Sequence, residues 1–163
     1  MERVYDVAQF IFNEYKRVSG KIIDEMKLHK LLYFTQRESL AIVGQPMFDA
    51  DFEGWKHGPV CKQIREVFTE QGLGVACKDI SFDNAYIVRN IIDEYGVLES
   101  WQLRNLSHME ISWKNSRIGI GDNEAGTVPL KLADIRVDAQ KVRPYDHIWD
   151  MYYDEFDEVE SES

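Results

Sequence analysis

Lys27-Leu-His-Lys-Leu-Leu-Tyr-Phe-Thr-Gln36 lies inside a segment, about Glu25 to Val43, that reads as a helix with apolar side chains on more than one face. Leu28, Leu31 and Leu32 fall on one side by helical spacing, and Tyr33 and Phe34 widen it. A helix so broadly apolar is expected at the middle of a domain, covered by its neighbours. Gly44-Gln-Pro46 ends it. Lys27, His29 and Lys30, close to Asp24 and Glu25, are expected on its solvated surface and not as a basic patch.

Working outward, apolar residues at 4, 7, 8, 11, 15 and 18 form the single stripe of an amphipathic helix, stopped by Ser19-Gly20. Between Met47 and Trp55, Phe48, Ala50 and Phe52 alternate with Asp49, Asp51 and Glu53, the period of a half-buried strand. Gly58-Pro59 predicts a turn, with Pro59 opening a helix through about Gln71 that points Val60, Ile64, Val67 and Phe68 inward before Gly72 and Gly74. Asp83 is the expected N-cap of a helix through Tyr95, with Val88, Ile91 and Ile92 on one face and Gly96 as its terminating glycine. Ser100 starts a short helix to about Ser107. Residues 118–128 read as an irregular loop, 128–137 fit strand or helix, and 144–159 return to helical spacing in a segment dense in Asp and Glu. The expected fold is mainly α: one compact domain over residues 1–150 of five to seven helices, a small β element around residues 47–55, and an acidic tail over 151–163.

Composition narrows the function. The 163 residues suffice for one sizeable core, and no apolar run approaches the roughly 18 residues of a membrane span. The start, Met-Glu-Arg-Val-Tyr-Asp, lacks the order of a signal peptide, so a cytoplasmic chain is expected. Cys61 and Cys77 form no metal-ligand spacing with the four histidines, and neither metal nor cofactor is expected. A net charge of −10 argues against direct nucleic-acid binding and favours a basic partner.

Trp55-Lys56-His57-Gly58-Pro59 reads first as a core plug fixing a turn and second as an interface anchor. His108, Glu110, Trp113 and Lys114 bring an acid, a base and a cation together in sequence, yet no nucleophile motif, phosphate loop or metal motif completes a catalytic set. Packing is therefore the expected role of His108 and Trp113. The acidic run that contains Asp154, Glu155 and Phe156 reads as a mimic of an anionic backbone or as a solubilising end.

Three of these stretches, in order, resemble one family. Lys27 to Gln36, Phe52-Glu-Gly-Trp-Lys-His-Gly-Pro-Val60 and Leu103-Arg-Asn-Leu-Ser-His-Met-Glu-Ile-Ser-Trp-Lys114 are similar to the KLxKLLYFxQ helix, the AWKxGPV turn and the LSxxTHxExPWK segment of the Panacea domain, the SocA-like antitoxin domain of bacterial and phage toxin–antitoxin systems. Gly54, His57 and Ser112 depart from the usual Ala, Tyr and Pro. The resemblance implies a non-enzymatic antitoxin that binds and neutralises a cognate protein toxin encoded by the adjacent gene. A proteolytic adaptor delivering a toxin to an ATP-dependent protease, and an enzyme using His108 and Glu110, are the alternatives. Trp55, Lys56, His57, Pro59, Trp113, Asp154, Glu155 and Phe156 are the expected partner contacts, with no catalytic residue.

Overall fold

The computed structural model describes residues 1–142. Its centre is a helix, Glu25–Ile42, started by Asp24, whose side chain accepts from the Lys27 N–H at 2.8 Å. A second helix, Val4–Ser19, precedes it and stops at Gly20, which takes the left-handed φ of 73° and returns its N–H to the Lys16 carbonyl. These are α1 (Val4–Ser19) and α2 (Glu25–Ile42). Leu28, Leu31, Leu32, Tyr33 and Phe34 are wholly buried, because α2 packs against α1 and against four later elements. Val18, placed on the α1 stripe by spacing, is exposed at the helix end.

So complete is this enclosure that the expected solvated positions on α2 are buried too. Lys27, His29 and Lys30 all lie in the interior, a correction to the sequence reading. Buried polar groups require partners. The Lys27 ammonium donates to the Leu98 carbonyl at 2.9 Å and to the Tyr15 hydroxyl at 3.2 Å. Nδ1 of His29 accepts from the Cys61 N–H at 3.2 Å, so the ring proton sits on Nε2, 3.0 Å from Glu25 Oε2. Burial pushes the His29 pKa down, against the opposing pull of Glu25.

The β element is a hairpin of β1 (Phe52–Trp55) and β2 (Gly58–Cys61), antiparallel, with Trp55 opposite Gly58 and Gly54 opposite Pro59. It is shorter at its start than the 47–55 expectation, since 47–51 holds only a single bridge, Phe48 to Glu2, and no strand. The helix expected from Pro59 is not formed there; Pro59 lies in β2. Gly54 explains why a proline is tolerated. Its N–H goes to Val128 O at 2.9 Å and its carbonyl accepts from Arg117, so both point away from β2 and the Gly54–Pro59 pair needs no ladder bond. Gly58, with φ of 125°, closes the two-residue turn Lys56-His57.

After β2 comes a single helical turn, α3 (Lys62–Arg65), which buries Ile64, and then a second small hairpin, β3 (Phe68–Thr69) with β4 (Gly72–Leu73). This hairpin replaces the rest of the expected helix and sets the Phe68 ring edge-on to Phe12. The next helix is α4 (Phe82–Tyr95). Ser81, not Asp83, caps it by accepting from the Asn84 N–H, and Gly96 closes it with ordinary right-handed φ. There α5 (Ser100–His108) opens with a capping box between Glu99 and Gln102. A short helix unforeseen in the sequence, α6 (Ile111–Ser116), follows, and α7 (Leu132–Ala139) resolves the ambiguous 128–137 segment, with Pro129 bridged to Glu53. The irregular loop between them wraps the buried Arg117, which donates to the carbonyls of Gly54, Gly121 and Glu124. The described chain is mainly α with seven helices and two small hairpins. The acidic segment beyond residue 142 lies outside the described residues.

Two substitutions test this packing. Leu31→Ala is expected to lower unfolding free energy by about 2 to 5 kcal/mol, read by denaturant titration, and Leu31→Asp to abolish cooperative melting. Gly54→Ala drives a Cβ to 1.9 Å from Ser116 Oγ, so a lowered Tm is expected; an unchanged Tm means that the hairpin and α6 are not locked together.

Candidate partner-binding cleft

The polar residues of α2 that face α6 and α7 meet two carboxylates. Arg37 pairs with Glu110 and donates to the Tyr95 hydroxyl at 2.8 Å, with its guanidinium 4.7 Å from the centre of the Phe34 ring. One turn earlier, the Tyr33 hydroxyl lies 3.2 Å from Glu110 Oε2, 2.9 Å from Ser112 Oγ and 3.0 Å from Asp138 Oδ2. Asp138 also accepts from the N–H groups of Ile111 and Ser112, at 2.7 and 2.9 Å, at the start of α6. These contacts clamp α2, α6 and α7 together.

The two acids do not behave alike. Burial, with the Asp138 charge adding to it and Arg37 opposing, raises the Glu110 pKa to about 7. Burial also works against ionising Asp138, but hydrogen bonds from Ser112 and Ile111 hold it below the usual carboxylate range. Glu110 and His108, weighed as an acid–base pair, have separate surroundings. Glu110 is buried among Arg37, Tyr33 and Asp138, whereas the His108 ring stacks flat on Trp113, with centroids 3.9 Å apart and an 8° angle between planes.

Above this interior junction the hairpin and the α5–α6 corner form an open rim. Trp55 is half-buried, its Nε1 donating to Glu53 at 2.9 Å and its ring lying 4.7 Å from the Arg65 guanidinium. Its carbonyl accepts from Trp113 Nε1 at 2.8 Å, tying hairpin to α6. Lys56 and His57 stand exposed at the turn. They line a cleft of about 600 Å³ together with Arg104 and His108 of α5, Trp113 of α6 and Asp122 of the following loop. Of the expected contacts, the structure thus brings Lys56, His57 and Trp113 to one cleft and puts Trp55 beside it. Pro59 is buried in β2 and offers little surface, while Asp154, Glu155 and Phe156 lie outside the described residues. Arg104 was not among the expected residues; its position four before His108 on one helix face was the available signal.

Among the described residues no group of three or more His, Cys, Asp and Glu is placed to hold a metal ion. No described helix is long and apolar enough to cross a membrane.

The Glu110 environment makes a pH prediction. A carboxyl whose folded pKa is raised favours the protonated folded state, so its contribution to stability is full below the unfolded value of 4.5 and declines as pH rises toward about 7. Glu110→Gln mimics the protonated form. The stability of the native chain relative to this variant is therefore expected to fall between those pH values and to level off outside them, measured by urea unfolding across pH. Parallel profiles overturn the assignment.

Comparison with known proteins gives a family for the chain. The family model described as antitoxin SocA-like, Panacea domain, matches residues 28–114. That span runs from α2 through the hairpin and α5 into α6, and so takes in Lys30, Lys56, His57, Arg104, His108 and Trp113. No curated protein and no solved structure matches the chain. By that match over more than half its length, the chain belongs to the SocA-like antitoxin family through its Panacea domain.

Proposed function

We propose that this chain is an antitoxin that neutralises a cognate protein toxin by direct binding, and that the toxin is the product of the adjacent gene. The observation that carries the reading is the family match over residues 28–114, whose last segment ends at the cleft rim. The rim supports a contact role because Lys56, His57 and Arg104 are exposed and no described hydrogen bond uses their side chains, so the core does not account for them. Trp55 and Trp113 supply large, half-buried aromatic surface of the kind that anchors interfaces. The acidic segment with Asp154, Glu155 and Phe156 is a second proposed contact, on its charge alone.

Co-expression with the neighbouring gene product tests this. The two chains are expected to co-purify and growth to be restored, with the antitoxin harmless by itself. Lys56→Glu together with His57→Glu is expected to weaken the complex by about tenfold or more, roughly 1.4 kcal/mol, in calorimetric titration. Its Tm should stay near that of the native chain, because both side chains are exposed. Failure to co-purify removes direct binding; full affinity in the double variant moves the contact off this rim.

A further inference from the structure

Beside the residues that line the cleft lies a buried lysine that neither the fold nor the toxin reading explains. Lys30 is 2% exposed, yet among the described residues no hydrogen bond or ion pair reaches its ammonium. Lys27, on the same helix and 7% exposed, has the Leu98 carbonyl and the Tyr15 hydroxyl. Nζ of Lys30 is not among the side-chain atoms shut from solvent without a partner, so the acceptor that the chain does not supply can come from outside it. Its Cε passes 3.4 Å from the position of a Cβ at Gly58, which sets the end of the side chain under the Lys56-His57 turn. Burial lowers the Lys30 pKa, and Arg104 lowers it further while Asp24 opposes. Behind burial, Lys30 and Arg104 also depress both His57 and His108. These positive groups therefore share one small region.

A second observation points the same way. Nε2 of His108, a residue lining the cleft, is shut from solvent and has no hydrogen-bond partner. Lys56 and Arg104 make no ion pair among the described residues, and Asp122 is the one described carboxylate in the cleft lining. The lining itself has two cations against one carboxylate, and Lys30 beside it adds a third that Asp24 partly offsets, so with the histidines neutral the region is net positive in a chain whose net charge is −10.

We propose that this cleft binds a phosphoryl group, as inorganic phosphate or a phosphate monoester, with Lys30 and Arg104 as its main donors and Lys56, His57 and His108 around it. A phosphoryl group brings a charge of about −1.5 to −2 and three strong acceptor oxygens, enough to give several of these donors an acceptor at once. Arginine presents a planar fork suited to two phosphate oxygens, and lysine a point charge. A single carboxylate brings one charge and two acceptor oxygens, fewer than a phosphoryl group offers these donors. The acidic remainder of the chain opposes an extended polyanion, so the ligand is one group and not a nucleic-acid strand. The inference does not depend on the toxin reading, and its test needs no toxin.

The test is titration of the full-length chain with inorganic phosphate at about pH 7.5, where the dianion predominates, following the histidine ring protons by NMR. Saturable shifts are expected for His57 and His108. Lys30→Met, which keeps the buried stem, and Arg104→Gln, at an exposed position, are each expected to weaken binding about tenfold. Lys16→Gln, on the exposed side of α1, is expected to change nothing. Acetate and an oligonucleotide without terminal phosphate serve as rival ligands. Absence of saturation overturns the proposal, as does equal affinity for acetate, tighter binding of the oligonucleotide, or undiminished affinity in Arg104→Gln. That last variant decides the matter even if Lys30→Met fails to fold.

Discussion

A guanidinium carried into the interior on a central helix has to find acceptors there, and Arg37 finds the Glu110 carboxyl and the Tyr95 hydroxyl. Removing one partner of such a pair strands a buried charge at a cost of about 3 to 5 kcal/mol. Around this pair the rest of the polar interior is arranged. Tyr33 has one hydroxyl proton for two carboxylates, and Asp138 is supplied separately by the first N–H groups of α6. One acid is thereby held ionised and the other pushed toward protonation. The result is positional. With α2, α6 and α7 joined at fixed distances, the corner between α5 and α6 has little freedom, and the cleft rim rests on that corner.

The hairpin depends on the same corner from its outer side. Gly54 lets Ser116 approach where no Cβ could stand, Arg117 takes the Gly54 carbonyl, and Trp113 takes that of Trp55. The last of these contacts joins the second family-like block to the third and the other two use residues just beyond the third, while Lys30 meets the second block at Gly58 and His29 holds Cys61 just past it. A motif letter in this chain thus has either of two meanings. Gly54, Tyr33, Glu110 and Ser112 build the junction; Lys56, His57, Arg104 and His108 are what the junction presents.

Charge illustrates why global quantities mislead about local sites. A chain with 29 acidic and 19 basic residues suggests a basic partner. Many of its cations are spent internally: Arg3 on Asp6, Arg17 and Arg89 on Glu14, Arg65 on Glu25, Arg117 on carbonyls. Around the β1–β2 turn, by contrast, α2, α5 and the turn each contribute a positive side chain, Lys30, Arg104 and Lys56, that no described ion pair uses. Field strength at a site follows that local sum and not the total.

What the sequence by itself determined is what local periodicity and capping control. The burial of α2 was readable from Leu28, Leu31, Leu32, Tyr33 and Phe34, the end of α1 from Gly20, and the inward face of α4 from Val88, Ile91 and Ile92. The family was readable from three blocks in order. Only the tertiary structure decided the rest. Pro59 satisfies a helix start and a strand position equally well, and the choice fell to Gly54, whose hydrogen bonds turn away toward Val128 and Arg117. Lys27, His29 and Lys30 are polar, so spacing assigns them to solvent, and they are buried because distant elements supply a carbonyl, a backbone N–H or, for Lys30, the cover of the hairpin at Gly58. Tyr33 and Asp138 lie 105 residues apart. Nothing in either neighbourhood marks them as partners, because a buried hydrogen bond is specified by where two helices cross and not by the residues beside each one.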